Sequence, residues 1–330
     1  MPELRLNLIT REWVIIETER AKRPAEFRLK RDKKNLPEFL DTCPFCPGNE
    51  HRTPREIMRI PDGDNWKIRV TPNKFAALSL EGTRERKNMG NRHLVTGVGR
   101  HEVIIESPIH NIDMSSMSVE DVADVIRIYK DRFIEIYNDL RIEHVIIFKN
   151  HGEGSGTSLG HPHSQVVGIP VTPIQVRNRI EEGIRYFDNT GECLMCASLN
   201  DEISDGRRII LNTDHFATFV PYAALSPFHT WIFPKRHCAA FSSIREEEIY
   251  DLSFNLKTIL SKFNQGLENP DFNFILRSEH PKECSSEYFH WYISIVPRVM
   301  QTTGFELGSG MYVNTAIPEE SADFLRKVKT

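Results

Sequence analysis

The sequence predicts an α+β protein made of two related halves, residues 1–190 and 191–330. Three observations lead there. One order of signals is written twice: a Cys-x-x-Cys pair, a strand-like run, a Pro-(x)-x-His, a helical stretch, a strand, and a strand carrying histidine. The two histidines of each set are similarly spaced, 51 residues from His110 to His161 and 53 from His237 to His290. A duplicated supersecondary unit explains this better than coincidence. The length of 330 residues, 39% hydrophobic and 27% charged, provides core material for about two domains.

In the first half, Thr42-Cys43-Pro44-Phe45-Cys46-Pro47-Gly48-Asn49 reads as a tight turn that can wrap two thiolates around one ion. A redox pair would instead open a helix, for which Pro47-Gly48 is unsuited. The run His101-Glu102-Val103-Ile104-Ile105-Glu106 is strand-like and leads into Ser107-Pro108-Ile109-His110. A helix from about Ser118 to Tyr137 follows, with Val122, Ile126, Tyr129 and Phe133 on one face. Ser118-Val119-Glu120-Asp121 gives its start, an N-cap with an acid three residues on. Then come a strand from His144 to Lys149, a glycine-rich loop from Asn150 to Gly160, and a strand starting at His161.

In the second half, Cys193-Leu194-Met195-Cys196 is followed by the strand-like Thr230-Trp231-Ile232-Phe233 and by Pro234-Lys235-Arg236-His237. A helix is expected over about Arg245–Phe263, with Ile249, Leu252, Leu256, Ile259 and Leu260 on one side. Strands over Phe272–Leu276 and Phe289–Pro297 complete the repeat. The stretch from the second cysteine to the next histidine differs more, 64 residues against 41, so loop lengths vary between the halves.

Each cysteine pair leaves a tetrahedral ion two ligands short, and histidine is the usual supplement. The spacing predicts two structural zinc sites, Cys43, Cys46, His110, His161 and Cys193, Cys196, His237, His290. By itself the second pair reads equally as a buried or incidental one. The register of the second site is open too: His163 and His290 each stand seven residues before a proline, so His290 matches either His161 or His163. Cys238 and Cys284 receive no role.

Net charge of −4 argues against a nucleic-acid-binding protein, which needs a basic face. No run approaches the roughly 18–20 apolar residues of a membrane span. The opening Met1-Pro2-Glu3-Leu4-Arg5 has no apolar leader-like stretch. A soluble cytoplasmic protein is expected.

The sharpest signal is His161-Pro162-His163-Ser164-Gln165. Strand alternation aims His161, His163 and Gln165 at one side. The preceding glycine-rich loop offers backbone N–H groups and Ser158 to phosphate oxygens. A neutral imidazole beside such a cradle points to covalent catalysis at phosphorus. The residues alone are equally compatible with a glycine turn beside a second metal-binding histidine pair.

His161-Pro162-His163-x-Gln165 resembles the active-site motif of the galactose-1-phosphate uridylyltransferases, a duplicated branch of the histidine-triad superfamily. Further resemblance lies in Arg5-Leu6-Asn7-x-x-Thr10-x-x-Trp13-Val14, Arg20-x-x-Arg23-Pro24, Thr71-Pro72-Asn73-Lys74-Phe75-Ala76-Ala77-Leu78, Asn150, Ser158 and Gly304-Phe305-Glu306. The resemblance implies two histidine-triad-like halves, each an antiparallel sheet with packed helices. It also implies a ping-pong mechanism, in which His163 takes a nucleotidyl group from a nucleotide-sugar and a hexose 1-phosphate or phosphate accepts it. His161 would serve zinc by its side chain and orient the His163 ring by its carbonyl. Gln165 would donate to a phosphoryl oxygen. Arg20 and Arg23 would meet the diphosphate, although a solvated basic face is an equal reading of those two residues. Asn73, Asn150, Ser158, Phe305 and Glu306 would contact substrate, the last two in trans within a homodimer.

The second Cys-x-x-Cys, His237, His290 and Phe305-Glu306-x-Gly308-x-Gly310-x-Tyr312 resemble the plant ADP-glucose phosphorylase branch. Lys74 stands where an acid is common in the uridylyltransferases, and Tyr312 falls near the position of a sugar-binding glutamine. The leading expectation is exchange between UDP-glucose and galactose 1-phosphate. The alternative is transfer of AMP from ADP-glucose to phosphate, and one from another class is a zinc-stabilised nucleotide-binding module without turnover.

Overall fold

A computed structural model of the chain describes residues 1–17, 24–27, 36–63 and 65–330. Arg20 and Arg23 lie outside the described residues. The first half carries β1 (Glu3–Leu6), β2 (Trp13–Ile16), β3 (Met58–Ile60), β4 (Ile68–Pro72), β5 (Arg86–Met89), β6 (Arg92–Val95), β7 (Arg100–Ile105), α1 (Val119–Tyr137), β8 (His144–His151), β9 (His163–Ile169) and α2 (Ile174–Thr190). After it come α3 (Leu194–Asp205), β10 (Ile209–Asn212), β11 (Phe216–Phe219), β12 (Thr230–Pro234), α4 (Glu246–Leu267), β13 (Phe272–Arg277), β14 (Tyr292–Pro297), α5 (Gly304–Ser309), β15 (Tyr312–Asn314) and α6 (Pro318–Lys327).

Ten strands form one antiparallel sheet in the order β10-β11-β12-β14-β13-β8-β9-β7-β4-β3. Read from its two edges inward, the sheet repeats itself: β3-β4-β7-β9-β8 answers β10-β11-β12-β14-β13. The halves meet at β8 and β13, with Asn150 opposite Asn273 and Phe148 opposite Ile275. The 190/191 boundary falls at the end of α2, where Gly191 closes the helix at φ 73°. β1, β2 and β15 form a small separate sheet that brings the two chain ends together.

The α+β architecture follows the alternation of the strands. On one face, α1 and α4 cover Val145, Ile147, Val166, Phe274, Leu276, Ile293 and Ile295, all in one buried cluster. Burying such side chains stabilises by roughly 1.5–3 kcal/mol each. On the other face, α3 buries Leu194, Met195 and Leu199 against Phe219, Trp231, Phe233 and Tyr292. In the first half that face carries the Cys43–Cys46 turn, with Phe45 and Trp66 on Val103 and Ile105.

Element ends follow local chemistry. Ser118 caps α1, its Oγ accepting from the Asp121 N–H at 3.0 Å and donating to the Asp121 carboxylate at 2.6 Å. The helix expected over Arg245–Phe263 starts after Arg245, its N-cap, and runs on to Leu267. β9 begins at His163 rather than His161, because Pro162 has no N–H to give a ladder. No helix among the described residues is long and apolar enough to cross a membrane.

Candidate active site

The first cysteine turn is held by Asn49, whose side-chain amide donates to the carbonyls of Cys43 (2.8 Å) and Asp41 (3.1 Å). Gly48 follows at φ +85°, a conformation that favours glycine. Backbone N–H groups of Phe45 and Leu40 point at the Cys43 and Cys46 sulfurs, each at 3.4 Å. His161 approaches from the start of β9 and donates from Nε2 to the Ser107 carbonyl at 2.7 Å, which leaves Nδ1 as a lone pair facing the thiols.

The four groups fit a tetrahedral ion. The Nδ1 atoms of His110 and His161 are 3.3 Å apart, and the sulfur–nitrogen separations are 3.5–3.7 Å. A tetrahedron with ordinary zinc-type bond lengths has edges of about 3.4 Å between nitrogens and about 3.6 Å between sulfur and nitrogen. All four residues are buried, and only a cation would satisfy their converging lone pairs. Burial first, and then the neighbouring Cys43, push the Cys46 thiol up to about 11, so a cation beside it would be needed to hold the thiolate at neutral pH.

Cys193, Cys196, His237 and His290 form the second such cluster, with Cys196 Sγ 3.2 Å from Nδ1 of both histidines. Unlike the first pair, Cys193 is the N-cap of a helix, α3. Its thiol is drawn down to about 5, first by its hydrogen bond with Cys196. The register left open by the sequence is resolved: His290 takes the place of His161, and Tyr292 that of His163.

His163 stands at the first position of β9, outside both clusters. Its Nδ1 donates to the His161 carbonyl at 2.8 Å, which leaves Nε2 unprotonated. The Phe45 ring meets it edge-on, centroids 5.3 Å apart, and meets His161 on the same side. Burial lowers the His163 pKa, keeping the imidazole neutral at neutral pH.

Beneath His163 lies a buried polar network absent from the sequence expectations. Lys149 on β8 donates to Glu106 at 2.5 Å and to the His163 carbonyl at 3.3 Å. Glu106 also accepts from Tyr129 at 3.2 Å and from Ser164. Gln165 is fixed by a second set. The Ala77 N–H points at His101 Nδ1 (3.2 Å), so His101 Nε2 carries the proton and donates to Gln165 Oε1 at 2.8 Å. Asn73 donates to the same oxygen at 3.3 Å. The Gln165 NH2 is thereby kept as a donor.

The glycine-rich loop is pinned from the other half. Asn273 on β13 donates to Asn150 Oδ1 (2.8 Å) and to the Ser155 carbonyl (2.9 Å), and the Gly154 N–H donates to Asp271 at 2.6 Å. Ser158 is exposed on this loop. Phe305 and Glu306 lie on α5, where Glu306 accepts from Thr303 in a capping box and lines a cavity of the second half instead of the His163 strand. Of the expected site residues, the structure therefore gathers His161, His163, Gln165 and Asn73, with Asn150 beside them near the end of β8. His101 had a detectable signal, a polar residue two before Val103 on an alternating strand; Lys149 and Glu106 had none, since only the fold brings them together.

Fold and site define a class, the nucleotidyltransferases of duplicated α+β architecture. The chain belongs to the galactose-1-phosphate uridylyltransferase family: the model of that family's N-terminal domain matches residues 1–173 and that of its C-terminal domain residues 179–306. It is 36% identical over 332 residues to the ADP-glucose phosphorylase of Arabidopsis thaliana, covering 99% of this chain and 93% of the relative. The galactose-1-phosphate uridylyltransferase of Thermotoga maritima is 25% identical over 338 residues, covering 100% and 99%. The solved structure of the Arabidopsis thaliana ADP-glucose phosphorylase with bound ADP-glucose superposes with a TM-score of 0.83 at 33% identity, covering 100% of this chain and 99% of that one.

Proposed function

We propose that this protein transfers a nucleotidyl group from a nucleotide-sugar to a phosphate-bearing acceptor through a covalent intermediate on His163. The observation that carries the reading is the 2.8 Å hydrogen bond from His163 Nδ1 to the His161 carbonyl, which leaves Nε2 as the nucleophile. Nε2 attacks the α-phosphorus, an N–P bond forms, and the bond to the bridging oxygen breaks. Hexose 1-phosphate leaves with the electron pair, a stable anion that requires no general acid. The Gln165 NH2 donates to a non-bridging oxygen as charge builds there. An oxygen of the acceptor then attacks phosphorus, the N–P bond breaks with its electron pair returning to Nε2, and His163 is again neutral.

ADP-glucose as donor and inorganic phosphate as acceptor have the support of the Arabidopsis relative, whose name states that activity. The second cysteine pair had pointed to the same branch. UDP-glucose with galactose 1-phosphate is the second reading, supported by the Thermotoga maritima relative. Both metal clusters hold zinc in this reading. With four protein ligands each they have no open position, so zinc ties segments together and takes no part in the transfer. Asn150, Ser158, Arg20 and Arg23 contact the phosphates, and Phe305 and Glu306 reach the partner's site in a homodimer. Thiol-rich metal sites suit a reducing cytoplasm.

The test is to incubate the metal-loaded chain with ADP-glucose or UDP-glucose labelled at the α-phosphorus. An acid-labile adduct on His163, with release of glucose 1-phosphate, is expected; no adduct with either donor overturns the reading. Product analysis with phosphate against galactose 1-phosphate as acceptor decides between the two donor–acceptor pairs.

A further inference from the structure

The strand ladders of the two halves match in register. With His290 in the place of His161, Tyr292 stands where His163 does and Ser294 where Gln165 does. The ladders agree: Val103 faces Gln165 as Trp231 faces Ser294, so His101 corresponds to His229. Phe148 faces Gln165 as Ile275 faces Ser294, so Asn150 corresponds to Arg277. Even the supporting contact recurs, His101 to Gln165 and His229 to Ser294, both at 2.8 Å. The second half therefore carries a phenol in the place of the His163 imidazole and an arginine in the place of Asn150.

A cavity of about 220 Å³ opens at this point, lined by Arg179, Arg277, Tyr292, Ser294 and His229 among others. Arg179 is 9% exposed and donates from Nε to the Tyr292 hydroxyl at 3.1 Å. The Arg277 Nε is buried with no hydrogen-bond partner, and on the same wall the Ser226 and Thr10 hydroxyls and one Glu12 carboxylate oxygen are likewise unpaired. Burial lowers the Arg277 pKa from its ordinary value, so the guanidinium is held there at a cost. The lining sets Arg179, Arg277 and Arg298 against Glu12 and Glu306, a surplus of one positive charge. Glu306 accepts from Thr303 with one of its two carboxylate oxygens.

We propose that this cavity is a second, non-reacting binding site for a phosphate-bearing anion, gripped by Arg277 and Arg179 with the Tyr292 and Ser294 hydroxyls. Guanidinium forks match phosphate oxygens, and an anion would supply the partner that Arg277 lacks. The phenol in place of His163 makes the site one of binding without transfer. The volume falls below the roughly 300–1,000 Å³ of pockets for larger ligands, which selects orthophosphate or a small phosphate monoester over a whole nucleotide-sugar.

The experiment compares the wild-type chain, Arg277→Met and Arg277→Lys. Crystals of each are soaked in tungstate, and binding of labelled orthophosphate and of glucose 1-phosphate is followed by equilibrium dialysis. Anomalous density between Arg179 and Arg277 is expected in wild type and absent from Arg277→Met. The dialysis stoichiometry should fall by one anion per protomer in Arg277→Met, with at least partial binding retained in Arg277→Lys. The arm that binds more tightly names the source. An empty cavity in wild type, or unchanged stoichiometry in a folded Arg277→Met, overturns the proposal. Labelling of His163 from nucleotide-sugar is measured in parallel and should persist in Arg277→Met, so that failure of the transfer reading is seen separately.

Discussion

Replacing Lys149 by Met tests the buried network under the reactive strand. Lys149 and Glu106 have side chains 2% and 0% exposed, with their charged atoms 2.5 Å apart. Removing the ammonium leaves a carboxylate with only the hydroxyls of Tyr129 and Ser164 as donors. Breaking a buried pair from one side costs about 3–5 kcal/mol; the two remaining donors favour the lower end, about 3 kcal/mol. Removing both charges together is a different perturbation. In Lys149→Met with Glu106→Gln, the amide can keep contact with both hydroxyls and no charge is stranded, so the double variant should lie within about 1–2 kcal/mol of wild type. Urea unfolding of metal-loaded protein, followed by circular dichroism and tryptophan fluorescence, gives the cycle. A single-variant cost under about 1 kcal/mol, or additivity of the two changes within about 0.5 kcal/mol, would refute the reasoning. The single variant should also slow adduct formation, because Lys149 holds the carbonyl of His163 itself.

His163→Ala should abolish transfer while metal content by atomic absorption stays at the wild-type level, whereas Cys43→Ala should lower metal content and stability together; proportional metal loss in His163→Ala would mean ligand and nucleophile were exchanged. Gly152→Ala should destabilise by more than about 1 kcal/mol and loosen the phosphate loop, since Gly152 sits at φ +80° and a Cβ there would come within 1.7 Å of Asp271 Oδ1; an unchanged denaturation midpoint would count against that fit. Burial pulls His144 down to about 4 and His229 down to about 3 from 6.5, so below 6.5 the unfolded chain binds protons that the folded chain refuses. Their contribution to stability is complete above that value and is lost as pH falls towards 4 and 3, about 2 kcal/mol per histidine between pH 6.5 and 5; denaturation midpoints at pH 7 and 5 measure it, and His229→Gln should flatten the slope.

Much of this was legible in the chain because periodicity and ligand spacing are local properties. The faces of α1 and α4, the histidine strands and both ligand sets follow from patterns within one segment or from repetition between two. What escaped has a common physical origin. Glu106, Tyr129, Lys149 and Ser164 meet only after four segments are packed, and a lone lysine within a hydrophobic strand carries no mark of a buried partner. The ambiguity between His161 and His163 as the counterpart of His290 arose because both share a strand face. It is resolved by the ligand clusters: His161 and His290 each turn into a cysteine pair just before a strand, while His163 and Tyr292 each open that strand.

The pairing of β8 with β13 makes the two halves structurally interdependent. Asn273 and Asp271, both from the second half, hold the loop that follows β8 in the first. The half that carries His163 thus borrows the geometry of its glycine-rich loop from its duplicate. Asp271 and Asn273 thus act across the seam, whereas Tyr292, Ser294 and Arg277 line the cavity beside β14. One continuous sheet permits that division: the copy with the imidazole takes its loop geometry from the other copy, whose corresponding positions carry a phenol at Tyr292 and a guanidinium at Arg277.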